Sequence, residues 1–519
     1  MPTSPTPNAA EDRAFFGHPR GLSTLFFTEM WERFSFYGMR AFLLPFIVAS
    51  TQEGGLGFSD EKGGIVYGMY TCFVYLMTLP GGWIADRVLG QRKAVLAGGL
   101  LIMAGHISLA VPTIPSFYLG LALVCLGTGL LKPNVSTMVG HLYSKEDLRR
   151  DSGFSIFYMG INLGAGSAPL VCGYLAQKAE FRAALTSWGI DPNSCWHFAF
   201  GAAAVGMGIG VVQYVLGRRH LGDVGVSPVP PESPAAAART RKTLIGIVAT
   251  IFGIPLLVAA LHFGGIVNIT AERIGDGVMW LLLGTCVIFF GALFAIGKWT
   301  APESRRLVVI VVLFVAAVLF WTCFEQAGST FNLFATRNTD LHMFGTKIAP
   351  AFFQTVNSVF VIIMAPVFGW FWLTLAKRKQ EPSSPYKFAI ALLLVGLGMA
   401  IMIPPTRAAV GGKLASPMWL VALYFIHTCG EMCLSPVGLS SMTKLAPQRI
   451  GGMVMGIWFL ASAIGNYLAG RSAGYAAHYS FSAVLAVLTG LMFVAALVMF
   501  VLARPMTRMM GEVGGTTAK

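Results

Sequence analysis

Apolar stretches of about twenty residues recur along the whole chain, separated by short polar turns. They fall at roughly 22–50, 64–84, 94–112, 116–141, 153–176, 196–216, 243–264, 277–297, 307–335, 350–376, 387–405, 417–443, 451–475 and 481–503. About twenty predominantly apolar residues are what a helix needs to cross the hydrocarbon core of a bilayer. The pattern therefore predicts an all-α, polytopic membrane protein with fourteen spanning helices. The breaks between spans are uneven. A Pro-, Ala- and Ser-rich stretch with basic ends, GRRHLGDVGVSPVPPESPAAAARTRKT, separates the sixth span from the seventh, and GKWTAPESRR follows the eighth. The simplest organisation is a six-helix bundle over 1–220, a linker and inserted helix pair over 221–304, and a second six-helix bundle with its tail over 305–519. Gly and Pro recur inside the spans, as in Leu131-Lys132-Pro133-Asn134 and Ser435-Pro436. Membrane helices tolerate such breaks where neighbours or a cavity satisfy the freed backbone groups.

Composition narrows the picture. Only 12% of the residues are charged, about half the share in a soluble domain, and the mean hydropathy is +0.67. The net charge of +14 would suit a nucleic-acid binder, but its distribution points elsewhere. With the amino terminus placed in the cytoplasm, the loops on that side collect 25 Lys and Arg, against 8 on the other. Such asymmetry is the positive-inside signal of membrane topology. Both termini are thus expected in the cytoplasm, and nucleic acid is excluded as a partner. The eight cysteines lie mostly within apolar runs, and no second Cys or His pair joins Cys429 and Cys433. Neither a metal nor another cofactor is expected. The polar, Pro-rich amino terminus lacks the apolar core of a cleaved signal peptide.

The first span is the exception to the oily pattern. FFTEMWERFSFYGMRAFLLPFIV carries Glu29, Glu32, Arg33 and Arg40 between apolar flanks. A charge at mid-bilayer costs about 2.5–3.5 kcal/mol on insertion scales, and such residues usually line a cavity or a proton path. At helical spacing Glu29, Arg33, Phe36 and Arg40 fall on one stripe, with Glu32 and Tyr37 beside it.

Several motifs carry a family resemblance. Gly82-Trp83-Ile84-Ala85-Asp86-Arg87-Val88-Leu89-Gly90-Gln91-Arg92 resembles the GxxADRxxGxR loop of the major facilitator superfamily, which gives Asp86, Arg87 and Arg92 as a cytoplasmic gate loop. Glu29-x-x-Glu32-Arg33-Phe34-x-Phe36-Tyr37 resembles the ExxERFxYY signature of the proton-dependent oligopeptide transporter family. Phe157-Tyr158-Met159-Gly160-Ile161-Asn162-Leu163-Gly164 resembles its FYxxINxG signature. Leu131–Asn134, Phe324–Gly328 and Gly430–Pro436 are similar to its other landmarks, and the resemblance runs from about residue 20 to 505. The inserted pair resembles bacterial members. Two positions depart from the pattern: Phe36 replaces the first Tyr of the signature, and Gly68 stands where animal members use a histidine. Proton coupling is therefore expected to rest on carboxylates.

The resemblance implies a major facilitator fold in a bacterial cytoplasmic membrane and symport of di- and tripeptides with protons. A short peptide is a zwitterion of variable side chains, so its site should grip the two charged ends. The carboxylate end falls to Arg40, Lys132 and Arg33, since a guanidinium fork suits both oxygens. The amine end falls to Glu431, Asn357 and Asn162; Tyr37, Tyr75, Trp321, Trp458 and Ser462 are pocket candidates. Glu29, Glu32 and Glu325 are the coupling carboxylates, and Glu325 is expected to pair with Arg40. A functional monomer without a required protein partner is expected. The rival readings are a carrier of nitrate or another small solute, or a proton-driven drug exporter. Nitrate has no amine, so Glu431 and the intact acid–base cluster favour peptides. No nucleophile elbow or paired metal-ligand motif supports an enzyme.

Overall fold

The computed structural model describes residues 12–511, except 145, 146, 229, 344, 448 and 449. Lys145, Arg449 and Lys519, counted among the loop cations, lie outside the described residues. The first helices are α1 (Arg20–Val48), α2 (Asp60–Leu76), α3 (Thr78–Ile84), α4 (Gln91–Leu109), α5 (Ile114–His141), α6 (Arg150–Gln177), α7 (Ala179–Ser187) and α8 (Cys195–Gly217). The inserted segment holds α9 (Pro234–Val248), α10 (Ile254–Phe263) and α11 (Ala271–Ile296). Then come α12 (Ala301–Phe324), α13 (Thr330–Asn338), α14 (Phe353–Lys377), α15 (Ser384–Ile401) and α16 (Ile403–Val410). The last three are α17 (Met418–Leu445), α18 (Gly451–Tyr479) and α19 (Phe481–Met510). A two-residue antiparallel ribbon pairs His342–Met343 with Thr346–Lys347.

Local chemistry sets many of the ends. Thr113 and Ser233 accept hydrogen bonds from Ser116 N and Ala236 N at the starts of α5 and α9. Thr300 and Glu303 form a reciprocal capping box at α12, satisfying donors that the first turn leaves open. Eleven helical segments among the described residues are long and apolar enough to span a bilayer. The charges of α1 keep it outside that group.

Each of the fourteen apolar stretches holds a helix, and four of them hold parts of two: 387–405 passes from α15 to α16 at Met402, and the other three break as follows. The stretch 64–84 breaks at Met77, between α2 and α3; 243–264 has a π turn over Ala249–Gly253; and 307–335 has a 3-10 turn over Glu325–Gly328. Backbone groups released inside a membrane must find partners in the protein. At the third break Gln354 Nε2 donates to the Ala327 carbonyl, and Gln326 Nε2 donates to Thr322 O at 3.1 Å.

Close backbone contacts divide the chain into two units. The first comprises Met1–Met39, Phe73–Cys172 and His197–Ile274; the second comprises Arg40–Cys72, Gly173–Trp196 and Gly275–Lys519. The first has a core of Leu22, Leu25, Ile102, Leu131, Val135, Met207 and Tyr214. In the second, Leu313, Phe320, Phe388, Leu392, Leu423 and Met492 are fully buried. The inserted helices contrast with both: the apolar windows of 234–263 and 271–295 are 0% and 11% buried, the signature of a face turned to lipid.

Candidate functional site

In the first unit the α1 charges gather around Arg33. Its Nε lies 3.1 Å from Glu29 Oε1 and also contacts Glu32 Oε2, with all three side chains at most 3% exposed. Arg33 Nη2, Glu29 Oε2 and Glu32 Oε1 are buried without a hydrogen-bond partner among the described residues. The charge of Lys132 also acts on Glu29, so two acids face two bases. Overall neutrality lowers the cost of burying four charges. Lys132 Nζ sits 4.1 Å above the Tyr75 ring. The Arg33 guanidinium stands 5.5 Å from the Phe36 ring, and Tyr37 meets Phe36 edge-on at 5.2 Å. Asn162 is buried on α6, its Nδ2 donating to Tyr158 O at 3.0 Å. The glycine of its motif has a packing reason. A Cβ on Gly164 would strike the Met30 carbonyl and come within 3.1 Å of Arg33 Cβ, so its absence lets α6 lie directly on the charged turn of α1.

In the second unit Arg40 Nη2 forms an ion pair with Glu325 Oε2, and the side chains are 8% and 6% exposed. Arg40 Nε donates to Tyr67 Oη at 2.9 Å. The 3-10 turn that carries Glu325 makes room for this pair. A Cβ on Gly328 would strike Tyr67 Oη and approach Arg40 Nε to 2.7 Å. Unbroken helical spacing would put Trp321, Glu325, Ser329 and Asn332 on one face, but the turn divides them among α12, the turn itself and the start of α13. Ser329 Oγ donates to Ala469 O at 2.9 Å and Asn332 Nδ2 to Ala41 O at 2.9 Å, so both are structural. Glu431 is half-buried on α17 within electrostatic reach of Glu325. Asn357 Nδ2 donates to Thr428 Oγ1 at 2.9 Å and contacts Glu431 Oε2 at 3.4 Å.

The remaining candidates are distributed as follows. Trp321 packs edge-on with Phe320 and Phe324, its Nε1 buried without a hydrogen-bond partner among the described residues. Trp458 and Ser462 are buried on α18, Trp458 against Gly438. Asp86 and Arg87 are exposed in a π turn over Ala85–Leu89. Among the described residues Asp86 Oδ1 accepts from Gln91 Nε2 at 3.5 Å. Arg92 instead turns back to backbone carbonyls, donating to Val224 O at 2.7 Å and to Gly222 O. Sequence reasoning missed Tyr67, Tyr424 and Thr428, and named Gly328 only as the end of the Phe324–Gly328 landmark. Tyr424 is buried within electrostatic reach of Arg40 and Tyr67. Tyr67, Tyr424 and Thr428 offered only a hydroxyl inside an apolar run.

The profile of the POT family matches residues 92–488. The chain is 40% identical to the peptide transporter YePEPT of Yersinia enterocolitica, covering 90% of each protein. The chain belongs to the POT family. It is also 34% identical to the di-/tripeptide transporter of Lactococcus lactis subsp. cremoris, over 97% of this chain and 98% of that one. A crystal structure of a variant of peptide transporter POT in complex with alafosfalin superposes with a TM-score of 0.87 at 40% identity, covering 98% of this chain and all of that one. The POT assignment brings with it the major facilitator fold.

Within this family the Gly68 departure has a steric basis. A Cβ there would lie 2.9 Å from Tyr467 O and 3.2 Å from Gly470 Cα, at a crossing where α2 and α18 meet backbone to backbone. Gly68→His should therefore wedge the crossing rather than supply a proton relay. The expected loss is about 1–3 kcal/mol or more of stability, read as a lower melting temperature in detergent. A variant as stable as the parent would show that the crossing yields.

Proposed function

We propose that this chain is a proton-coupled symporter that imports di- and tripeptides by alternating access, working as a monomer in a bacterial cytoplasmic membrane with both termini inside. Membership of the POT family and the names of its relatives support peptide transport. The observation that carries the mechanism is the buried Arg40–Glu325 pair with Glu431 and Asn357 in the same unit. One guanidinium and two carboxylates in a water-poor setting offer opposite charges for the two ends of a zwitterion. The arrangement also gives the proton a task. Ionised Glu325 holds Arg40; protonated Glu325 releases it for the peptide carboxylate, so proton and peptide enter together. Arg33, Glu29, Glu32 and Lys132 form the second charge cluster, on which a further proton can rest. We read the chain as two six-helix bundles, 1–220 and 305–519, with the pair in 221–304 inserted between them in sequence.

The test is uptake of labelled dialanine into proteoliposomes under an imposed pH gradient. Tripeptides should compete strongly, while nitrate and free alanine should not. Inhibition by nitrate alone would replace peptides with a small anion. The amine site has its own check. Glu431→Gln keeps shape but loses the charge that pairs with an ammonium, so its affinity for dialanine should fall at least about tenfold, the order of a lost charge-assisted hydrogen bond. N-acetylated dialanine should bind the parent poorly. An unchanged dissociation constant in Glu431→Gln would make the residue structural.

A further inference from the structure

The inserted helix α11 runs antiparallel to α18 but meets it closely at one end. At the start of α11, Tyr467 Oη donates to Gly275 O, and Arg471 Nη2 pairs with Asp276 Oδ1 at 3.0 Å. Toward the other end a cavity of about 830 Å³ opens between the end of α11 and the start of α18. That size lies within the roughly 300–1,000 Å³ of ligand pockets. Its walls include Ile288, Phe289, Ala292, Leu293 and Met453, with Lys298 among the lining residues. Ile288 and Met453 are 72% and 51% exposed, so the cavity opens toward the lipid-facing surface of α11.

The lining offers little to a polar solute. Thr285 Oγ1 donates to Leu281 O of its own helix at 2.7 Å, and Trp299 Nε1 donates to Leu293 O at 2.6 Å. Their donor hydrogens are thus committed within the protein. The slot is apolar, with Lys298 among its lining residues where α11 ends, and Arg305 and Arg306 follow in the first turns of α12. A Trp and a Lys at a helix end mark the membrane–water boundary. Basic pockets between membrane helices suit acidic lipid headgroups.

We propose that this cavity is a binding site for one anionic glycerophospholipid. An acyl chain lies along Ile288, Phe289, Ala292 and Leu293, and the headgroup phosphate sits at Lys298. The site gives the inserted pair a role: α11 is tied to α18 by Tyr467 and Arg471 at one end and joined to it through a lipid at the other. No peptide chemistry is required, so the proposal stands apart from the transport reading.

The experiment is native mass spectrometry of the full-length protein released from detergent containing equal phosphatidylglycerol and phosphatidylcholine. The parent should retain one lipid, with phosphatidylglycerol preferred about fivefold, the size expected of a single interfacial lysine. Lys298→Gln should bind as much total lipid with that preference lost. Ala292→Trp should fill the slot and release both lipids at an unchanged melting temperature. If Ala292→Trp does not fold, the Lys298→Gln preference alone decides. No preference in the parent, an undiminished preference in Lys298→Gln, or a second protein copy in place of the lipid would each overturn the proposal.

Discussion

Glu325→Gln should continue to exchange peptide between loaded liposomes while failing to accumulate it against a gradient. The carboxamide keeps the size and much of the hydrogen bonding of Glu325 but can neither ionise nor release a proton. In the parent, Arg40 is shared between Tyr67 Oη and the Glu325 carboxylate in a nearly dry setting. Replacing that carboxylate removes the internal competitor for Arg40, so peptide binding should persist with little dependence on pH. The return of the empty carrier is the step that suffers, because it needs the ion pair to re-form. One charge crossing about 100 mV supplies about 2.3 kcal/mol, or roughly fifty-fold accumulation, and the variant should fall to near unity. Breaking a buried pair by removing one partner costs about 3–5 kcal/mol, so the empty variant should melt earlier than the parent. A peptide carboxylate restores the missing charge, and dialanine should therefore raise the melting temperature of the variant more than that of the parent. Full gradient-driven accumulation in Glu325→Gln would move the coupling proton to Glu29 or Glu32.

The charged residues of this mechanism were legible because a membrane makes them conspicuous. Glu29, Glu32, Arg33 and Arg40 stand out in an apolar run at helical spacing, and the structure keeps them on one continuous helix, α1. The fourteen apolar stretches likewise follow from span length alone. Partner choice is another matter. Arg40 and Glu325 are 285 residues apart, and no periodicity links them; their pairing came from family resemblance. Nor does hydropathy mark where a helix breaks. Residues 307–335 read as one span, yet Glu325–Gly328 leaves the α-helical register because Gln354 and Gln326 satisfy its backbone and Gly328 admits Arg40. The small and polar run Gln326-Ala327-Gly328-Ser329 was the available signal. Tyr67 and Tyr424 stayed hidden for a further reason: a tyrosine in an apolar run looks the same whether its hydroxyl meets an arginine or the membrane boundary.

Arg40→Ala should abolish peptide binding, and Arg40→Lys should rescue little of it. These contacts of Arg40 use different nitrogens of one planar group, Nε for Tyr67 and Nη2 for Glu325. A lysine ammonium is a single point and cannot reproduce that fork. Truncating one partner of a buried, hydrogen-bonded charge pair costs about 2–5 kcal/mol, which predicts a loss of affinity between about 30-fold and several thousandfold. Part of any loss could come from Glu325, left buried without its cation. The double variant Arg40→Ala, Glu325→Gln separates the two causes: it should recover thermal stability, because no lone charge remains, and still bind no peptide. Ligand chemistry gives an independent arm. Dialanine amidated at its carboxyl end keeps the amine and both side chains but offers Arg40 no anion, so it should compete weakly against labelled dialanine in the parent. Equal competition by amidated and free dialanine would remove Arg40 from the carboxylate end of the site and leave its pairing with Glu325 as a purely structural contact.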